Sequence, residues 1–146
     1  MERLLYISES CIKDADAKPM IAQIVAASQI RNAKLAITGA LLFTGTHFAQ
    51  ILEGPTESID LLMMSINADL RQGNILIADR SVIVTRRFPD WKMAYYGPSL
   101  FVSRQVLRML DRTSQSEQRR ATEWLTELAH EFSTAVTPGK INDTLS

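Results

Sequence analysis

Two kinds of hydrophobic spacing alternate along the first two thirds of this chain, and their order restricts the fold more than any other feature. Residues 3–8 (Arg-Leu-Leu-Tyr-Ile-Ser) form a short apolar run of the kind found in a buried strand. Asp16 and Pro19 then offer a helix start, and Ile21, Ile24, Val25 and Ser28 recur at i, i+3, i+4 and i+7. That spacing predicts a helix running to about Asn32. Residues 35–43 and 47–53 read as strands on either side of a tight hairpin at Thr44-Gly45-Thr46. Gly54-Pro55-Thr56 ends the second of them and opens another helix, striped by Ile59, Leu62, Met63 and Ile66. Two further strands fit 74–84 and 91–96, separated by the Arg86-Arg87-Phe88-Pro89-Asp90 corner. The order is βαββαββ. Its economical solution is an α+β ferredoxin-like sandwich, with two helices on one face of a five-stranded, antiparallel-rich sheet.

The pattern changes after Gly97-Pro98. Val102, Val106, Leu107 and Leu110 mark a short amphipathic helix, and Ser114-Gln115-Ser116-Glu117 is a capping box. The helix it opens carries Ala121, Trp124, Leu125, Leu128, Ala129 and Phe132 along one side. These two C-terminal helices are expected to cover the open sheet face or to meet a second subunit. The chain therefore divides into a core at 1–97, a helical extension at 98–136 and a flexible tail at 137–146.

A chain of 146 residues with 46% hydrophobic and 22% charged side chains suits one packed domain rather than a disordered segment. Sixteen basic residues balance sixteen acidic ones, which argues against a protein built to grip phosphate backbones. No apolar run approaches the roughly 20 residues needed to span a bilayer, and the start is too short and polar for a secretory signal. Cys11 is the one cysteine and His47 and His130 the two histidines, so neither an internal disulfide nor a metal-ligand cluster is expected. A cytoplasmic protein follows as the default.

Three polar residues fall in informative places. Tyr6 shares a strand face with Leu4 and Ser8, Gln50 sits mid-strand between Phe48 and Leu52, and Asn32 ends the first helix. A buried amide must find partners, because leaving it unpaired costs roughly 1–3 kcal/mol. Taken singly each has an ordinary explanation: a core tyrosine, a solvated strand glutamine, an asparagine C-cap.

Their surroundings alter that reading. Tyr6-Ile7-Ser8, Ser28-Gln29-Ile30-Arg31-Asn32 with Ile37-Thr38-Gly39, Phe48-Ala49-Gln50-Ile51-Leu52-Glu53-Gly54-Pro55 and Arg87-Phe88-Pro89-Asp90-Trp91-Lys92-Met93 follow one another in order. Together they resemble the BLUF domain, a blue-light sensor using flavin, over about residues 2–97. The resemblance implies FAD as cofactor, with FMN or riboflavin as alternatives. It implies that Tyr6 is the electron donor to the light-excited flavin and that Gln50 lies between this phenol and flavin N5 and C4=O. A proton passing by way of Gln50 would leave that amide rotated or tautomerised, with a stronger hydrogen bond to C4=O and no substrate turned over. Asn32 is implied at the polar edge of the ring, which would be slotted between the two helices, and Ser28 faces the same slot. Arg71 is a candidate for the phosphates, while Trp91 and Met93 are the pair implied in relaying the signal. Arg31 stands where relatives often carry Asn or His, and Gln72 where a histidine is common. Output is expected through an unidentified downstream protein or a change of homo-oligomer, with no direct nucleic-acid or membrane partner.

Other readings of the same fold compete. A small hydrolase of the acylphosphatase kind needs an anion-cradling loop near the first strand, and Glu9-Ser10-Cys11-Ile12-Lys13 holds no glycine-rich nest. An RNA platform needs aromatics on adjacent central strands and a basic surface. A pigment-free adaptor would keep the fold alone.

Overall fold

Alternation along Glu2–Ser10 makes the first strand, β1, and residue parity on its neighbours decides what the cleft of this protein contains. The computed structural model describes residues 1–89, 94–96 and 141–142, together with 104, 106–108, 110, 119, 120, 122, 123, 126, 127 and 130. A 3-10 turn at Asp14–Asp16 leads into helix α1 (Ala17–Leu35), followed by β2 (Thr38–Phe43) and β3 (His47–Gly54). Helix α2 (Thr56–Ala68), β4 (Gln72–Val82), β5 (Ala94–Tyr96) and β6 (Ile141–Asn142) complete the order. The sheet runs β4-β1-β3-β2-β5-β6, antiparallel between β4, β1, β3 and β2, and parallel from β2 to β5 and from β5 to β6.

This is the expected α+β ferredoxin-like arrangement, with several boundaries moved. Helix α1 continues past Asn32 to Leu35, because Ala33, Lys34 and Leu35 are good helix formers and Ala36 supplies the left-handed C-cap at φ 56°. The second strand therefore starts at Thr38, not at residue 35. Strand β4 begins and ends two residues earlier than the expected 74–84, since Gln72 already pairs with Ser10. The sheet has six strands where five were expected: Ile141–Asn142, part of the expected flexible tail, pairs with β5 at Tyr95 and Tyr96. Trp91 and Met93 lie outside the described residues.

Register places Leu4, Tyr6 and Ser8 of β1 opposite Leu52, Gln50 and Phe48 of β3, and Leu41 and Phe43 of β2 opposite Gln50 and Phe48. On this face pack Ile21 and Val25 of α1 and Ile59, Leu62, Met63 and Ile66 of α2. The hairpin between β2 and β3 closes through Gly45 at φ 99°, with the rings of Phe43 and Phe48 tilted by 34° and 4.9 Å apart beside it. Gly39 lets the two strands meet: a Cβ there would stand 1.9 Å from the carbonyl oxygen of Ile51.

The opposite face is equally dry. Leu5, Ile7, Ala40, Leu42, Ala49 and Ile51 point away from α1 and α2 and are all fully buried or nearly so. Glu53, on that side of β3, accepts the backbone N–H groups of Arg87 and Phe88. The Phe88 ring meets His130 edge-on at 6.1 Å, and Arg87 pairs with Glu127. The described positions at 104–110 and 119–130 are helical, and Val106 is buried. Among the described residues no helix is long and apolar enough to cross a membrane.

Candidate functional site

Between α1 and α2, above the strands that carry Tyr6 and Gln50, lies a cleft of roughly 520 Å³, part of it continuous with solvent. Its floor is Tyr6, Leu41, Phe48 and Gln50. Ile24, Ala27, Ser28 and Arg31 of α1 form one wall, and Ser65 and Ile66 of α2 the other, with Asp69, Arg71 and Gln72 at the end where α2 gives way to β4.

Tyr6 and Gln50 are direct cross-strand partners, and the phenol donates to Gln50 Oε1. Both are buried, at 1% and 4% exposure. Burial pushes the phenol well above its ordinary pKa near 10, and the Asp69 carboxylate adds to that, while a hydrogen bond from the Gln72 side chain and the nearby Arg31 guanidinium oppose it. Tyr6 is therefore held as a neutral hydrogen-bond donor.

Ser28 lies on the buried stripe of α1, with Arg31 Nη2 at 3.5 Å from its hydroxyl. Asn32 shares that stripe one turn on and is fully buried, yet it does not line the cleft. Its backbone carbonyl accepts the Ile37 N–H at 2.9 Å as the helix closes. Burial lowers the Arg31 pKa, with Tyr6 and Asp69 pulling it back up. Its Nε is buried and has no hydrogen-bond partner among the described residues.

Arg71 reaches the cleft, but its guanidinium fork is already engaged. Nε and Nη2 donate to the two oxygens of Asp69 at 2.9 and 2.8 Å, and the Arg71 backbone N–H adds a third bond at 3.0 Å. This contact holds the Asp69 carboxyl below its usual range and raises the guanidinium. Asp69 was not anticipated. The Asp-x-Arg spacing just past a helix end was the available signal, since it suits a side-chain turn back onto the backbone. Ser8 donating to Gln72 Oε1 at 2.6 Å was likewise unforeseen.

The donor set suits a flavin. Its ring system is a flat, mostly apolar body with a polar edge of carbonyls and ring nitrogens. The cleft offers Ile24, Leu41, Phe48 and Ile66 against such a body, an amide and a phenol at the floor, and a buried guanidinium Nε with no partner among the described residues.

Comparison with known proteins agrees. The family described as BLUF, sensors of blue-light using FAD, matches residues 1–94. The blue light- and temperature-regulated antirepressor BluF of Escherichia coli (strain K12) is 37% identical over 102 residues, covering 70% of this chain and 25% of its own length. Photoactivated adenylate cyclase subunit beta of Euglena gracilis is 28% identical over 93 residues, 64% of this chain and 11% of that protein. The chain thus spans a minor part of both relatives. Among solved structures, the dark state of BlrB, a BLUF protein, superposes with a TM-score of 0.70 at 37% identity, covering 92% of this chain and 96% of the other. The photo-activated state of BlsA gives a TM-score of 0.76 at 21% identity over 96% and 99%, a likeness of fold. With its phenol, its amide and a family match across nearly two thirds of its length, this chain belongs to the BLUF family of blue-light sensors that use flavin.

Proposed function

We propose that the cleft binds FAD, with FMN or riboflavin as the alternatives, and that Tyr6 and Gln50 convert absorbed light into a change of hydrogen bonding. The hydrogen bond from the Tyr6 phenol to Gln50 Oε1, at the floor of the cleft between α1 and α2, carries this reading. The bound flavin supplies absorption of blue light and, when excited, a strong one-electron oxidant. Tyr6 is the donor. A phenol losing an electron becomes strongly acidic, and the proton already points at Gln50 Oε1. When electron and proton return to Tyr6, Gln50 is left re-paired, with its amide rotated or tautomerised. Neither residue ends oxidised or reduced, so the chain signals and does not turn over a substrate.

Ser28 and, on the family resemblance alone, Asn32 we assign to the polar edge of the ring, and Arg71 to the phosphates of the nucleotide. Asp69 competes with any phosphate for Arg71, so the assignment requires that bidentate pair to be shared or given up. Trp91 and Met93 we assign to the relay, on the family resemblance and because the following strand β5 pairs with β2, the strand beside Gln50. The segment 98–136 then forms the output surface, toward a downstream protein or a second copy of the chain, with residues 1–97 as the sensor. The contacts of Phe88 with His130 and of Arg87 with Glu127 support that route. The relatives named for adenylate cyclase activity and for antirepression differ in output, so no output is carried over from them. We assign the protein to the cytoplasm.

Absorbance of the purified chain before and after blue illumination tests the reading. A bound-flavin band that shifts to the red under light and relaxes in the dark is expected. Colourless protein that also refuses FAD, FMN and riboflavin overturns it.

A further inference from the structure

Tyr6 has a second amide beside it. Gln72 lines the same cleft as Tyr6, and its side chain acts on the phenol as a donor would, opposing the rise in pKa that burial causes. Ser8, two residues beyond Tyr6 on the same face of β1, donates its hydroxyl to Gln72 Oε1 at 2.6 Å. The pairing of β1 with β4 is irregular here: Ile7 pairs with Leu76 but Glu9 with Gly73, so β4 carries one extra residue. Asn74 takes a positive φ of 49° inside that bulge and donates to Glu9 at 2.9 Å. A bulge turns the strand and re-aims its side chains, and this one sets Gln72 opposite Ser10, on the same face as Ser8 and Tyr6.

We propose that Gln72, held by Ser8, is a positioning residue that fixes the direction of the Tyr6 O–H bond and, through it, the resting orientation of the Gln50 amide. The inference rests on the reading of Tyr6 and Gln50 given above. An amide whose oxygen already accepts from Ser8 presents its NH₂ group, a donor, to the phenol. The phenol has one proton and two amide neighbours. Since Gln72 offers it only a donor, the proton goes to Gln50 Oε1, and that contact in turn settles which way the Gln50 amide faces. If Gln72 were free to flip, its oxygen would compete for the same proton and the resting state would divide between two arrangements.

Flavin-loaded full chain tests this by two readouts. In the dark, the hydroxyl proton resonance of Tyr6, assigned by its loss in Tyr6→Phe, reports the phenol's partners without any photochemistry. Under illumination, the dark-recovery rate reports how strongly the resting Gln50 orientation is preferred. Gln72→Met and Ser8→Ala are each expected to move the resonance and to change recovery about fivefold, the factor one neutral hydrogen bond is worth. Ser8→Thr, which keeps the hydroxyl, is expected to restore both. An unmoved Tyr6 resonance in Ser8→Ala overturns the relay, as does a failure of Ser8→Thr to differ from Ser8→Ala; these arms decide the matter even if Gln72→Met folds poorly. A chain with no light-induced shift at all sinks the sensor reading instead, and the dark resonances then still judge the relay.

Discussion

The carboxylate of Glu53 accepts the backbone N–H of Phe88 at 2.8 Å, three residues along β3 from the amide that faces the cleft and on the other side of the sheet. Arg3, its cross-strand partner, clamps the same carboxylate through Nε and Nη2 at 3.0 and 2.8 Å, and the Arg87 N–H adds to it. Arg86 donates nearby to Thr38 Oγ1 at 2.9 Å and to the Ala36 carbonyl at 2.6 Å. The corner leading toward β5 is thus fastened to the centre of the sheet, which links the strand under the cleft to the C-terminal segment.

Glu53→Gln keeps the shape but turns an amide NH₂ toward donors and leaves Arg3 without its counter-charge. A loss of about 3 kcal/mol is expected, the usual cost of breaking a buried pair. Urea unfolding should show a lower midpoint with an unchanged slope.

Tyr6→Phe is expected to retain the pigment and lose the light-induced red shift. Gln50→Leu is expected to do the same and to cost about 1–3 kcal/mol of stability, since the Tyr6 hydroxyl is left without its acceptor in a buried site. Difference spectra of both variants check the outcome, and a normal photocycle in either removes that residue from the mechanism.

Tyr6 also makes stability depend on alkaline pH. Its folded pKa is raised by burial, above the value near 10 of an unfolded tyrosine. Below about pH 10 both states are protonated and the contribution is fully present. As pH rises further, the unfolded chain loses the proton while the folded one keeps it, so stability falls by at most about 1.4 kcal/mol per pH unit until the folded phenol itself ionises. Denaturation midpoints above pH 10 should fall more steeply for wild type than for Tyr6→Phe.

If Arg71 meets the phosphates, Arg71→Gln weakens FMN and FAD about tenfold, the worth of one charge-assisted hydrogen bond, and leaves riboflavin unchanged. The stability cost should stay under about 1 kcal/mol, because the Asp69 pair is partly solvated. Equal weakening of all three ligands would reassign Arg71 away from the phosphates. Titration by flavin fluorescence distinguishes these results.

Gly39→Ala drives a Cβ to within 1.9 Å of the Ile51 carbonyl oxygen, and backbone has nowhere to yield. A loss of about 3 kcal/mol or more is expected, or a chain that does not fold. Thermal unfolding followed by circular dichroism measures it.

Much of this protein is legible before any coordinates. The stripes Ile21-Val25-Ser28 and Ile59-Leu62-Met63-Ile66 and the runs around Tyr6 and Gln50 are set by local periodicity, and each became the element it predicts. Strand parity likewise put Tyr6 with Leu4 and Gln50 with Phe48 and Leu52, so the cleft floor was foreshadowed. Helix α1 was cut short at Asn32 because an asparagine resembles a cap, whereas the residue that takes the left-handed turn is Ala36.

The amino-acid order by itself determined the sequence of strands and helices, the faces they bury and the pair of polar residues on the sheet, because each depends on neighbours within a few positions. Only the tertiary structure decided that Ser8 meets Gln72 across 64 residues, that Asp69 holds Arg71, and that Glu53 gathers Arg3 and the 87–88 backbone. Those contacts hang on strand register, on the bulge at Asn74 and on a loop folding back over the sheet. A one-residue slip in any of them exchanges the partners while leaving every local pattern intact.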